Sequence, residues 1–189
     1  APLEDLLDVW AGLGYYSRAR NLHHACREIM SEHDGEIPST PEAFGALKGV
    51  GQYTCGAVLS IAFGRAQPIV DGNVERVFSR LFLIDSDIRS TPTKKILWGL
   101  AKEFVADLTP DQSPGDINQA IMELGALVCK PKRPSCEHCP LVSLCDAHAN
   151  KVVEQLPKKK KPTPKKSVHL VATFSVDSQN RIWVVRRPE

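Results

Sequence analysis

Apolar residues recur every three to four positions along most of residues 1–127, and a turn or cap signal bounds each periodic stretch. Residues 3–11 form the first, closed by Gly12-Leu13-Gly14. Residues 17–32 form the second, with Leu22, Ala25, Cys26 and Ile29 on one face. Thr40-Pro41 reads as an N-cap followed by proline at the first helical position, leading to Phe44 and Leu47. The next helix runs over 52–64 through Ala57, Val58 and Ile61, and another carries Val74, Val77, Phe78 and Leu81. Thr91-Pro92 opens one with Ile96, Leu97, Leu100 and Phe104; residues 116–127 carry Ile117, Ile121, Leu124 and Leu127. Seven helical stretches with short connections and almost no strand alternation predict an all-α body.

The pattern changes past Ala149. Pro157-Lys158-Lys159-Lys160-Lys161-Pro162-Thr163-Pro164-Lys165-Lys166 is charged and proline-rich, which predicts an extended linker. Residues 168–176 and 181–185 then alternate as two β-strands around the polar turn Asp177-Ser178-Gln179-Asn180. The expected division is a helical domain over 1–127, a cysteine-rich loop over 128–149, a linker over 150–166, and the start of a β-containing domain over 167–189. Because the chain opens in helix and ends on a strand with nothing to pair with, it is expected to be a piece of a longer protein.

Length and an apolar content of 42% allow a real core. No apolar run approaches a membrane span and no secretory pattern opens the chain, so an intracellular protein without a membrane partner is expected. That means a bacterial cytoplasm and its nucleoid, or the nucleus or mitochondrion of a eukaryote. The net charge of +2 hides an asymmetry. Residues 1–127 hold eleven Lys and Arg against seventeen Asp and Glu, whereas residues 128–189 hold thirteen against five. An acidic body with a basic tail suggests local contact with a polyanion rather than a broad electrostatic clamp.

Three motifs carry chemistry. Leu47-Lys48-Gly49-Val50-Gly51-Gln52-Tyr53-Thr54 sets two glycines between helical stretches. A tight hairpin with outward N–H groups at a helix start is suited to an anion such as a phosphodiester, with Lys48, Gly49, Val50 and Gly51 at the contact. Glycine there serves positive φ and close approach. Asp71, in Ile69-Val70-Asp71-Gly72-Asn73-Val74, stands at a helix start, where an aspartate is also a good cap. Cys129, Cys136, Cys139 and Cys145 fall as C-x6-C-x2-C-x5-C beside Lys130, Lys132 and Arg133. Four thiolates so close in sequence can wrap one soft-metal centre, zinc or iron–sulfur, which spacing alone does not separate. His138 falls among them but four cysteines already fill such a site. Cys26 and Cys55, in helical stretches, read as small core residues.

The hairpin resembles the helix–hairpin–helix element of base-excision DNA glycosylases, and the cysteine spacing matches the 4Fe–4S loop of the endonuclease III superfamily. Together with Trp10-Ala11-Gly12-Leu13-Gly14-Tyr15-Tyr16-Ser17-Arg18-Ala19-Arg20-Asn21-Leu22, these motifs are similar to the adenine DNA glycosylase (MutY) family over residues 1–150 and into its linker. The resemblance implies a helix–hairpin–helix glycosylase fold with a 4Fe–4S cluster of structural role, a truncated Nudix-like C-terminal domain, and a monomer acting on double-stranded DNA. The implied reaction is hydrolysis of the N-glycosidic bond of adenine paired with 8-oxoguanine or guanine. It assigns Asp71 as the carboxylate against the oxocarbenium ion, with Tyr53 and Asn73 contacting it or the sugar. It gives Gln119 to the extruded adenine and Tyr15 to the base stack as a wedge.

The chemistry asks for such a carboxylate, because breaking the bond between purine and deoxyribose builds positive charge on the sugar. Endonuclease III-type glycosylase/lyases of oxidised pyrimidines are the alternative. They carry a lysine where Tyr53 stands, and a tyrosine forms no Schiff base. A DNA- or zinc-binding module without activity would leave Asp71 as a cap alone. No glutamate here matches the family's general acid, so this stretch is expected to supply the sugar-side half of the site and to turn over feebly by itself.

Overall fold

Side-chain caps set where the helices begin. The computed structural model describes residues 1–160, 171 and 174–182. Its described part contains α1 (Leu3–Val9), α2 (Tyr16–Glu32), α3 (Pro41–Ala46), α4 (Gln52–Phe63), α5 (Gly72–Leu81), α6 (Thr91–Ala106), α7 (Pro114–Glu123) and a short α8 (Asp146–Ala149). Thr40, Ser90 and Ser113 each accept a bond from the backbone N–H three residues on, with proline in the first turn. Asp71 caps α5 through two N–H groups. Each such cap stabilises its helix by about 1 kcal/mol.

Two apolar clusters hold the body. Ile69, Val74, Val77, Phe78, Ile88, Leu97, Ala101 and Ile121 bring α5, α6 and α7 together. Phe44, Leu47, Cys55 and Leu59 join α3 to α4, with Ala25 and Ile29 of α2 packed against them. Burial of each of these larger side chains contributes about 1.5–3 kcal/mol. A buried amide locks α4 to α7: Asn118 Nδ2 donates to Ser60 Oγ and to Gln67 O, both at 2.9 Å.

The all-α expectation holds for the body, with local corrections. Cys26 is exposed rather than a core residue, because it and Leu22 lie at the edge of the α2 stripe; Cys55 is buried as read. Ile96 also faces solvent beside the buried Leu97. The seventh helix starts at Pro114 on the Ser113 cap, two residues before the expected Asp116, and ends at Glu123. A π-turn, Leu124–Val128, follows, closed by Cys129 N donating to Leu124 O at 2.7 Å. That i→i+5 turn takes an extra residue and leaves Leu127 exposed, although the 3.6-residue pattern places it inward.

Residues 150–160, read as the head of the linker, lie on the body. Leu156 is buried, Ile88 N donates to Lys158 O at 3.1 Å, and Lys158 Nζ pairs with Asp85 at 3.3 Å. Farther on, Val176 and Ile182 form an antiparallel bridge. Asp177 closes the turn between them, its Oδ1 accepting from Gln179 N and Arg181 N. These bonds hold its carboxyl below the usual carboxylate range. Residues 161–166 of the expected linker, and most of the two strands read over 168–176 and 181–185, lie outside the described residues. Among those described, no helix is long and apolar enough to cross a membrane.

Candidate active site

The hairpin between α3 and α4 is built as two residues of reversal followed by a helix start. Gly49 has φ +85°, a conformation other residues rarely adopt. A Cβ on Gly49 would also come within 2.4 Å of the Asn21 side chain on α2. Gly51 corrects the expectation of positive φ at both glycines: its φ is −90° and no atom crowds its Cβ position. The four expected contact residues also divide. Val50 N donates to Leu47 O and Lys48 N to Glu28 Oε2, whereas the amides of Gly49 and Gly51 have no acceptor among the described residues. Two outward donors therefore remain for an anion.

Asp71 ends the extended segment before α5 and is half-buried. Its Oδ1 accepts from Asn73 N at 2.9 Å and from Val74 N at 2.8 Å; its Oδ2 accepts from Asn73 Nδ2 at 2.9 Å. Three donors and the positive end of α5 hold the carboxylate in one orientation. One turn on, Glu75 is the nearby carboxyl. Burial pushes its pKa up, Lys159 and Lys94 pull it down, and the Asp71 charge raises it again.

Asn73 continues the network into the cysteine loop. Arg76 is buried; its Nη2 donates to Asn73 Oδ1 at 2.8 Å and Gly125 O at 2.6 Å, its Nε to Cys129 O at 2.7 Å, and its Nη1 to Gly72 O at 3.2 Å. Burial lowers the Arg76 pKa and Arg80 adds to that, while Cys129 and Asp71 oppose it. Arg80, 1% exposed, sends Nη1 to Cys129 Sγ at 3.2 Å and Lys130 O at 2.8 Å, and Nε to Val153 O and Leu156 O. Two side chains, Arg76 and Asn73, thus connect the cysteine loop to Asp71, and Arg80 braces the loop beside them. Sequence reading missed both arginines. No local spacing marked them as buried, since Gly72, Asn73 and Glu75 of the same helix are not core.

The end of α7 gathers the other candidates. Tyr53 Oη lies 3.6 Å from Met122 Sδ, not on Asp71, and the ring is 41% exposed. Gly125 lets Asn73 approach, since a Cβ there would lie 2.6 Å from Asn73 Cβ. Met122 and Gly125 are one turn apart, so Tyr53 and the Asp71–Asn73 pair flank the same end of α7. Gln119, one turn earlier, is exposed and donates to Gly115 O at 3.2 Å within its own helix. Tyr15 stands apart from this cluster. It begins α2 in the left-handed conformation, 82% exposed, with the Arg18 guanidinium over its ring.

Cys129, Cys136, Cys139 and Cys145 line one small cavity of about 30 Å³, walled by Val128, Pro134, Val142 and Val153. Burial and the neighbouring thiols push the Cys136 pKa up, and Arg80 pulls it down. Among the described residues no three His, Cys, Asp or Glu side chains gather closely enough to hold a metal ion. Four thiols around an apolar cavity, with a buried guanidinium on one sulfur, do fit a soft, negatively charged centre. His138 is exposed and pairs with Glu137, outside that ring.

Residues 1–103 match the family described as HhH-GPD superfamily base excision DNA repair protein. The human adenine DNA glycosylase is 50% identical over 157 residues, covering 82% of this chain and 28% of that protein. An adenine DNA glycosylase of Buchnera aphidicola (subsp. Schizaphis graminum) is 35% identical over 99% of this chain and 52% of its own length. The chain therefore spans about a quarter to a half of these relatives. Among solved structures, a thermostable thymine-DNA glycosylase superposes with a TM-score of 0.68 at 30% identity, covering 79% of this chain and 67% of the other. A non-covalent endonuclease III–DNA complex gives 0.63 at 28%, covering 80% and 67%. With more than half its length inside the family match and the hairpin in place, the chain belongs to the HhH-GPD superfamily of base excision DNA repair proteins.

Proposed function

We propose that the chain is the core of a DNA glycosylase that hydrolyses the N-glycosidic bond of adenine mispaired with 8-oxoguanine or guanine. The observation that carries this is the Asp71 carboxylate, fixed by three donors beside the end of α7, where Tyr53 lies against Met122 and Asn73 against Gly125. An anion held there before reaction stabilises positive charge on the departing sugar more than it stabilises the substrate. The Gly49 and Gly51 amides grip the phosphodiester, and Gln119 offers its amide to the adenine edge. The name shared by the human and bacterial relatives supports adenine as the base.

Tyr53 in the hairpin leaves no amine to attack the sugar, so the reaction is hydrolysis without strand cleavage. Borohydride in the presence of substrate is expected to trap no protein–DNA adduct, whereas a trapped adduct would favour the lyase alternative. The excision test is single-turnover release of adenine from duplexes bearing A opposite 8-oxoguanine, G or T. Slow release from the first two, with A:T spared, is expected of a chain without a glutamate matching the family's general acid; release of oxidised pyrimidines instead would move the assignment to the endonuclease III type.

Cys129, Cys136, Cys139 and Cys145 are the residues that would hold a 4Fe–4S cluster. Its contribution is to close the loop and keep Lys130, Lys132 and Arg133 against DNA phosphate. A single zinc ion would draw the four sulfurs to about 2.3 Å, and the four-cysteine spacing is equally open to it, so metal content decides between the two. The purified protein is expected to contain about four iron and four sulfide per chain. Cys139→Ser is expected to lose them and to unfold the loop, while stoichiometric zinc without iron would contradict the assignment.

Tyr15 enters the base stack as the adenine leaves it, a role its exposure on a tight corner supports. Tyr15→Ala is expected to slow excision from duplex DNA about tenfold or more, because the unstacking cost of a few kcal/mol is no longer offset. A substrate with adenine in an unpaired bubble should recover most of the loss, and equal losses on both substrates would remove the wedge role.

A further inference from the structure

Two residues of α2, outside the hairpin's own helices, touch the hairpin at consecutive positions. Glu28 Oε2 accepts from Lys48 N at 3.2 Å. Seven residues earlier, Asn21 fills the space under Gly49, with Cβ and Cγ 2.4 Å from where a Gly49 Cβ would stand. Residues 21 and 28 are two turns apart on one helix face, so α2 runs beneath the hairpin as a rail. The Glu28 contact is the informative one. A carboxylate beside an anion-binding loop opposes the incoming phosphate by charge alone. Its bond to Lys48 N–H does the opposite, tying down the start of the loop whose next unbonded amides are those of Gly49 and Gly51.

We propose that Glu28 is a positioning residue for the hairpin: by holding Lys48 N–H it aims the Gly49 and Gly51 amides at the phosphodiester. This rests on reading the hairpin as the phosphate grip. Glu28 touches no DNA in this role; it acts through the loop backbone. Geometry and charge then predict opposite results for the two simplest variants. Glu28→Gln keeps an acceptor and removes the charge, whereas Glu28→Ala removes both.

The test is duplex binding across a salt series, paired with amide hydrogen exchange at Lys48 in the protein without DNA. Glu28→Ala is expected to speed Lys48 exchange severalfold and weaken binding three- to tenfold, mainly in KM when excision is followed. Glu28→Gln should keep the exchange protection and bind as tightly as the parent or more so. Equal tightening by both variants would overturn the proposal, leaving Glu28 a repulsive surface charge. Unchanged Lys48 exchange in Glu28→Ala would overturn it as well. If the parent bound duplex without salt dependence, the phosphate reading itself would fall and the proposal with it, and the exchange data would show that the Lys48 bond exists regardless.

Discussion

Asp71→Asn is expected to lower single-turnover excision by about 10³-fold or more while leaving the melting temperature nearly unchanged. Asparagine caps a helix as well as aspartate does, so the bonds from Asn73 N and Val74 N to the side-chain oxygen survive. What is lost is the negative charge, worth roughly 4 kcal/mol of transition-state stabilisation for such a rate change, and the acceptor of the Asn73 Nδ2 bond at the edge of the site. The side chain thus has two separable roles, and the variant separates them. Asp71→Ala should lose the same activity and about 1 kcal/mol of stability besides. Circular-dichroism melts beside the excision rates read both quantities. If Asp71→Asn kept its rate, the carboxylate would be a cap and nothing more.

The second large effect is expected at Arg76. Its guanidinium is the link between Asn73, the π-turn carbonyl of Gly125 and the Cys129 carbonyl. Arg76→Met keeps the apolar stem but leaves Asn73 Oδ1 and Gly125 O without their donor, and Cys129 O with Arg80 alone. Each unsatisfied buried acceptor costs about 1–3 kcal/mol, together a large part of the stability of an ordinary domain. Asn73 then loses the bond that orients its amide toward Asp71, so excision should fall even at temperatures where the variant is folded. Arg76→Lys places a point charge where a fork is needed and should fall between the two. A melting temperature within a degree or two of the parent in Arg76→Met would contradict the linking role.

The seven helical stretches were legible because caps and apolar spacing agreed locally, as at Thr40-Pro41 and along Val74, Val77 and Phe78. Errors arose where tertiary packing decides. Leu127 follows the 3.6-residue stripe of α7, but the π-turn demanded by Asn73 against Gly125 rotates it outward. Cys26 has the composition of a core residue and sits at the edge of its face. Lys158 to Lys160 look solvated, yet the carbonyls of Lys158 and Lys160 are bound by Ile88 and Arg89 of the body.

At the site, Asp71 was legible because its cap position and its chemistry coincide in one residue. The hairpin was legible through its glycines, although only Gly49 needs the left-handed conformation. Arg76 and Arg80 were not, since a charged residue in an amphipathic helix ordinarily faces water. Their burial follows from carbonyls that the cysteine loop and the 153–156 turn leave pointing inward, a feature no local spacing encodes.

Affinity for a duplex carrying a cationic pyrrolidine in place of the deoxyribose, compared with its neutral tetrahydrofuran counterpart, tests the electrostatic role of Asp71 without requiring turnover. The protein should prefer the cationic sugar mimic by about 100-fold or more, as transition-state mimics allow, and Asp71→Asn should abolish most of that preference. Equal binding of the two duplexes, or a preference for the cation that survives in Asp71→Asn, would contradict it.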